Sequence, residues 1–137
     1  MQELQSLRNV GKRLSEVRTR LGISQIPFAE TLGISSSAYK NYERGEREVP
    51  LKLIIDICEK YEVNPAWLIL GKGSETQVDI GEIIEASVIA THEFLSSEHK
   101  SISPERSGKI VSHLVNYALQ EGELTKEYAT SFLKAAI

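Results

Sequence analysis

The chain has 137 residues, 41% of them apolar and 26% charged, with a formal net charge of −3 and a single cysteine. That composition is globular and excludes a disordered tail; the length suits one domain or one small domain with an appendage. No apolar run nears the roughly 18 residues of a membrane span, and the opening MQELQSLRNVGKRL is too charged for a secretion signal, so the expected compartment is the cytoplasm, with no membrane partner.

In chain order, Val10, Leu14, Val17 and Leu21 recur at helical spacing and stop at Gly22, which predicts a first helix of about three turns. Ser24 opens a second helix that closes at Gly33. A proline inside its first turn is tolerated, because with Ser24 as N-cap Pro27 falls at the third helical position, whose amide has no intrahelical partner. The capping hydroxyl then loses its usual partner, so Ser24 is expected to bond the Ile26 amide instead. A third helix begins among Ser35, Ser36 and Ser37 and ends at Gly45. The fourth starts near Pro50, a residue suited to a first turn, and carries Leu53, Ile54, Ile57 and Cys58; these positions fit a period of 3.6 better than a strand's period of 2. Asn64 and Pro65 cap and start a short fifth helix that turns Trp67 and Leu68 inward. Cys58, among Ile54, Ile55 and Ile57, reads as a buried thiol.

Gly71–Gln77 is small and polar and is the candidate linker. Beyond it, Ile80, Ile83, Ile84, Val88, Thr91, Phe94 and Leu95 form one helical stripe. Ser103-Pro104 starts another helix with Ile110, Val111, Leu114 and Ala118, ended by Gly122. Thr125 starts a last one with Ala129, Phe132, Leu133 and Ala136. The fold class is therefore all-α, with domains at 1–74 and 75–137. Divided there, the first part carries 11 Lys+Arg against 9 Asp+Glu and the second 5 against 10. Such asymmetry is a hint of a nucleic-acid surface joined to a region with another task.

Gln25, Ala29, Gly33, Ile34, Ser35, Tyr39, Glu43, Arg44 and Gly45 stand at spacings that resemble the helix-turn-helix of lambda-type phage repressors, Cro proteins and related XRE-like bacterial regulators. Ala29 is small where two helices cross, and Gly33 permits a left-handed turn. The closing NPAWLILGKG is similar to the end of that domain, so the resemblance spans about residues 8–74. Two positions depart from the pattern: Pro27 replaces a usual polar residue and Tyr39 a usual small aliphatic one.

The resemblance implies a five-helix DNA-binding domain that presents the start of its third helix to the major groove. It assigns base reading to Ser36, Ser37, Lys40 and Asn41, whose hydroxyl, ammonium and amide groups match base-edge donors and acceptors. Gln25 corresponds to a phosphate-clamping glutamine, and Arg44 and Arg47, with Lys12 or Arg13, to further phosphate contacts. Arg18 and Glu43 match a structural pair bridging the first and third helices. Solvated capping serines and a solvated lysine are the bland readings of Ser36, Ser37 and Lys40.

Three amphipathic helices of the second part make a small core, so Ile84, Val88, Phe94, Leu95, Ile110, Val111, Leu114, Phe132 and Leu133 are expected to pack against a second copy, the alternative being an intramolecular dock onto the first domain. A homodimer also suits recognition of an inverted repeat in double-stranded DNA, an operator with half-sites about one helical turn apart; further assembly into higher oligomers stays open. The expected function is that of a prophage-type repressor. The alternative is an antitoxin-like or anti-repressor module whose helical tail binds a partner protein. His92, His99 and His113 lack carboxylate or cysteine companions at ligand spacing, so no metal, cofactor or enzymatic activity is expected. The helical pattern after the linker does not resemble the β-rich self-cleaving peptidase of larger phage repressors, so no proteolytic switch of that kind is expected.

Overall fold

The computed structural model describes residues 2–137. Among them are eight α-helices: α1 Gln2–Arg20, α2 Gln25–Thr31, α3 Ser36–Glu43, α4 Leu51–Tyr61, α5 Pro65–Leu70, α6 Ile80–Ser97, α7 Pro104–Glu121 and α8 Lys126–Ala136. The chain divides into two compact units, Met1–Thr76 and Gln77–Ile137.

In the first unit, Leu14, Val17, Phe28, Ala29, Tyr39, Leu53, Ile57, Val63 and Leu68 form a buried core, with Trp67 and Tyr42 packed against it. Tyr39 is fully buried and meets Phe28 edge-on, ring centroids 5.2 Å apart, so the aromatic in place of a small aliphatic is accommodated as core. Cys58 is only half-buried, which corrects its reading as a buried thiol; burial pushes its thiol pKa up.

Helix α1 runs two turns further toward the amino terminus than its apolar spacing predicts. Gln2–Ser6 are exposed and show no stripe, yet they are mostly good helix formers on an established helix, where each added residue extends the structure without a new nucleation step. Pro27 is tolerated in α2 as expected: the first intrahelical bond runs from Phe28 N–H to the Ser24 carbonyl at 3.1 Å. The expected Ser24–Ile26 bond does not form. Ser24 is exposed, so its hydroxyl needs no protein partner. Pro50 is the N-cap of α4 rather than a residue of its first turn.

The segment expected as a linker is tied down almost to its end. Val63 and Thr76 form an antiparallel bridge, and Asn64 donates from its backbone to the Glu75 carbonyl at 2.7 Å and from Nδ2 to the Ser74 carbonyl at 3.1 Å. Arg20 Nε meets Glu75 Oε1 at 2.6 Å. Small polar residues read as flexible, but here they close the unit by pairing backbone groups that would otherwise be orphaned.

In the second unit Ile110, Leu114, Ala129 and Leu133 form the core, flanked by Phe94, Phe132 and Leu124. Helix α6 turns Ile83, Ser87 and Thr91 inward. The buried hydroxyls of Ser87 and Thr91 donate to the carbonyls four residues back, at 2.7 and 2.8 Å, so small polar side chains line the α6 face without unpaired donors. The anticipated stripe is therefore split. Ile80, Ile84 and Val88 are 56%, 45% and 49% exposed, because they sit roughly 60–100° around the helix from the buried row. His99 lies beyond the end of α6, so it does not share a helical face with His92.

Candidate nucleic-acid interface

The geometry of the first unit is organised around Glu43, the last residue of α3. Its carboxylate accepts from Arg18 Nε (2.6 Å) and Nη2 (3.4 Å), from the Tyr39 hydroxyl (2.6 Å) and from Gln25 Nε2 (2.7 Å). Arg18 Nη1 also donates to the Ile23 carbonyl at 3.0 Å. One side chain thus links α1, α2 and α3, fixing α3 against both neighbours. Burial alone would raise the Glu43 pKa, but the hydrogen bonds from Arg18, Tyr39 and Gln25 outweigh it and hold the carboxyl below its ordinary value. The Glu43 hydrogen bond raises the Arg18 pKa in turn.

The turn between α2 and α3 is set by Gly33, whose φ of +68° lies in the left-handed region, and by the Ile34 N–H bond to the Ala29 carbonyl at 3.1 Å. Ser35 then caps α3, its Oγ accepting from the Ala38 amide at 3.1 Å. This leaves Ser36 and Ser37 in the first turn, Ser37 exposed and Ser36 partly so, with Lys40 and Asn41 one turn further and also partly exposed. None of the four side chains makes an ion pair or hydrogen bond among the described residues. Arg44 and Arg47, just past the helix, and Lys12 on α1 are exposed and likewise without a carboxylate within ion-pair distance.

Two expected phosphate contacts are placed differently. Arg13 Nε and Nη2 donate to the carbonyls of Leu68 and Ile69 at 2.8 and 3.0 Å, capping the carboxyl end of α5. Arg13 therefore joins α1 to α5 while staying partly exposed, a tie that only long-range packing reveals, and burial lowers its pKa. Gln25 is committed to Glu43 through one amide hydrogen and keeps the other.

Sequence reasoning missed Gly11. It is buried where α1 crosses the end of α3, and a side-chain carbon there would meet the Tyr42 carbonyl oxygen at 2.5 Å and the Glu43 carbonyl carbon at 2.8 Å. An isolated glycine inside a helical pattern is the signal that points to such an approach.

A five-helix unit whose second and third helices meet across a tight glycine turn, with an exposed, capped and partly cationic third helix, has the architecture of a DNA-reading module. Residues 14–68 match the helix-turn-helix family. The chain is 33% identical over 93 residues to the SPbeta prophage-derived HTH-type transcriptional regulator YonR of Bacillus subtilis strain 168, covering 66% of this chain and 84% of that one. It is 29% identical over 80 residues to the HTH-type transcriptional regulator ImmR of the same organism, 58% of this chain and 62% of that one. It is also 34% identical over 55 residues to the antitoxin PezA of Streptococcus pneumoniae serotype 4, 40% of this chain and 35% of that one. No solved structure matches the chain. On these grounds the chain belongs to the helix-turn-helix family, in its XRE-like branch.

Proposed function

We propose that the protein is a DNA-binding transcriptional regulator of prophage type, a repressor that occupies an inverted-repeat operator as a homodimer. The observation that carries this reading is the amino-terminal turn of α3, exposed and unpaired while its other end is locked by Glu43. A rigid reading helix meets duplex DNA with little further ordering cost. Ser36, Ser37, Lys40 and Asn41 read base edges from the major groove; Arg44, Arg47, Lys12 and the uncommitted amide hydrogen of Gln25 hold phosphates. Residues 1–74 carry the DNA contacts and 75–137 the assembly.

Selection from random duplexes, paired with the mass of the protein in solution, tests this. An inverted repeat and a dimeric mass are expected; recovery of no preferred sequence overturns it. Lys40→Ala is expected to relax preference at one base position, at a cost of about 1–3 kcal/mol for the preferred duplex only. Arg44→Ala, by contrast, weakens preferred and random duplexes alike. Competition binding on both duplexes distinguishes the two patterns.

Of the nine residues expected at the dimer interface, Ile110, Leu114 and Leu133 are buried in their own unit and hold its core. Phe94 and Phe132 are largely occupied by packing on that core, and Leu95 and Val111 are only partly exposed. The proposed interface is therefore narrower and centres on Ile84 and Val88, extended by Ile80. Ile84→Glu with Val88→Glu is expected to give a folded monomer by light scattering, with helicity retained and the affinity for a full inverted repeat lowered to that for a half-site. A dimeric mass for the double variant would place the interface elsewhere. The match to an antitoxin covers 35% of that protein, too little of it to carry a protein partner over to this chain.

A further inference from the structure

Two exposed cations of the first unit, Arg8 and Lys72, have no role so far, and Arg8 is the one that packing sets beside the segment following α3. Arg8 lies on the part of α1 that extends beyond its apolar stripe. It is exposed and makes no ion pair or side-chain hydrogen bond among the described residues. Its position is nevertheless fixed by backbone packing. Gly45, buried with φ +70° just past α3, rests against it so closely that a side-chain carbon on Gly45 would meet the Arg8 Cα and amide nitrogen at 2.7 Å. One turn along α1, Gly11 rests in the same way on the Tyr42 and Glu43 carbonyls.

These two glycine contacts press the amino-terminal half of α1 onto the segment that carries Arg44 and Arg47. Arg8 and Lys12 are four residues apart and so share one face of α1. With Gly11 turned to α3, that face lies roughly 60–100° around the helix on the side away from Leu14 and Val17, the residues in the core. Two exposed cations on a helix and two on the adjoining loop thus come from chain positions more than thirty residues apart. Glu46 and Glu48 share the loop, and neither is within ion-pair distance of the four cations. A structural task would show as a partner carbonyl or carboxylate, as it does for Arg13, Arg18 and Arg20.

We infer that Arg8 is a DNA-backbone contact, and that with Lys12, Arg44 and Arg47 it forms a two-element clamp on the phosphodiesters flanking the groove that α3 enters. This rests on the DNA-binding reading above and adds to it a residue outside the helix-turn-helix, on the extension of α1. Guanidinium suits the task because its planar fork can hold two phosphate oxygens.

The test is the salt dependence of duplex binding by the full chain carrying Arg8→Ala, Arg8→Lys, Arg44→Ala or Lys52→Ala. Lys52, exposed on α4 and paired only with Asp56 one turn on, controls for the loss of one positive charge elsewhere in the same unit. Removing one phosphate contact lowers the slope of log K against log salt by about one, so the deficit of Arg8→Ala should shrink about threefold between 50 and 200 mM salt. The deficit should be equal on preferred and random duplexes. Arg8→Lys should retain most of the slope, Lys52→Ala all of it, and the melting temperature should not move in either Arg8 variant. A wild-type slope in Arg8→Ala beside a reduced one in Arg44→Ala overturns the inference and leaves the DNA-binding reading standing. Equal slope changes in Arg8→Ala and Lys52→Ala overturn it too, since net charge then explains both. Absence of duplex binding by the unaltered chain overturns the reading and the inference together.

Discussion

Gly11→Ala is expected to destabilise the amino-terminal unit by about 2 kcal/mol and to lower its melting temperature by about 10 °C. The sign is decided by two opposing terms. Alanine in a helix interior is favoured over glycine by roughly 0.5–1 kcal/mol, so an exposed site would gain from the change. At Gly11 the added methyl enters space held by the Tyr42 and Glu43 carbonyls, which are backbone atoms and cannot rotate aside. Overpacking of that kind costs about 1–3 kcal/mol, and the upper end applies where both walls are main chain. The overlap therefore wins. Gly108→Ala is the matched control, because Gly108 lies exposed in α7 with open space around its Cα, and there the helix term alone should raise stability slightly. Fluorescence of Trp67, the single tryptophan, half-buried against the first core, reports the amino-terminal unit separately from the second. A melting temperature for Gly11→Ala at or above that of the unaltered chain would mean that α1 and α3 do not approach as described.

Glu43→Gln carries the second large effect. The substitution keeps shape but removes the charge that Arg18, Tyr39 and Gln25 all address, and an amide group cannot accept at the atom that becomes its NH2. With the Arg18 and Glu43 side chains 18% and 9% exposed, the pair is largely but not wholly desolvated. A loss of about 2–3 kcal/mol follows, below the roughly 3–5 kcal/mol for breaking a fully buried pair. Denaturant titration of the two proteins at neutral pH measures it.

The same residue gives a pH signature. The folded pKa of Glu43 lies below its ordinary 4.5, because hydrogen bonds from three partners exceed the opposing effect of burial. A depressed carboxyl contributes stability that is complete above the unfolded-state value and is lost as pH falls through the folded one. The difference in unfolding free energy between the unaltered chain and Glu43→Gln should therefore be constant above about pH 5 and narrow on acidification below it. A gap that widened toward acid would contradict the arrangement. Arg18→Lys should not restore what Arg18→Ala loses, since a single ammonium lacks the fork that spans Glu43 and the Ile23 carbonyl.

The helix boundaries around the turn are local facts. Ser35 before an apolar period, Gly33 in a left-handed conformation, Asn64 before Pro65, Ser103 before Pro104 and Gly122 past α7 each act within four residues of themselves, so the chain alone displays them. The spacing from Gln25 to Gly45 marks the motif for the same reason. Where local chemistry was silent or ambiguous, expectation and structure part. The polar start of α1 has no periodicity to betray it, and Gly71–Gln77 looks like a linker until its backbone finds Val63 and Asn64.

Side-chain assignments divide along the same line. The sequence by itself determined the all-helical class, the caps, the turn and the polar character of the third helix, because short-range hydrogen bonding, left-handed glycine and hydrophobic period depend only on neighbours. Tertiary structure alone decided which like residues do unlike work. Arg13 reaches a carbonyl 55 residues away while Arg8 and Lys12 make no such bond among the described residues; Ile83 is buried while Ile84 is not; Gly11 is required where Gly108 is not. Each of those distinctions is set by what another helix brings within a few ångströms, and that distance is fixed only when the whole unit closes.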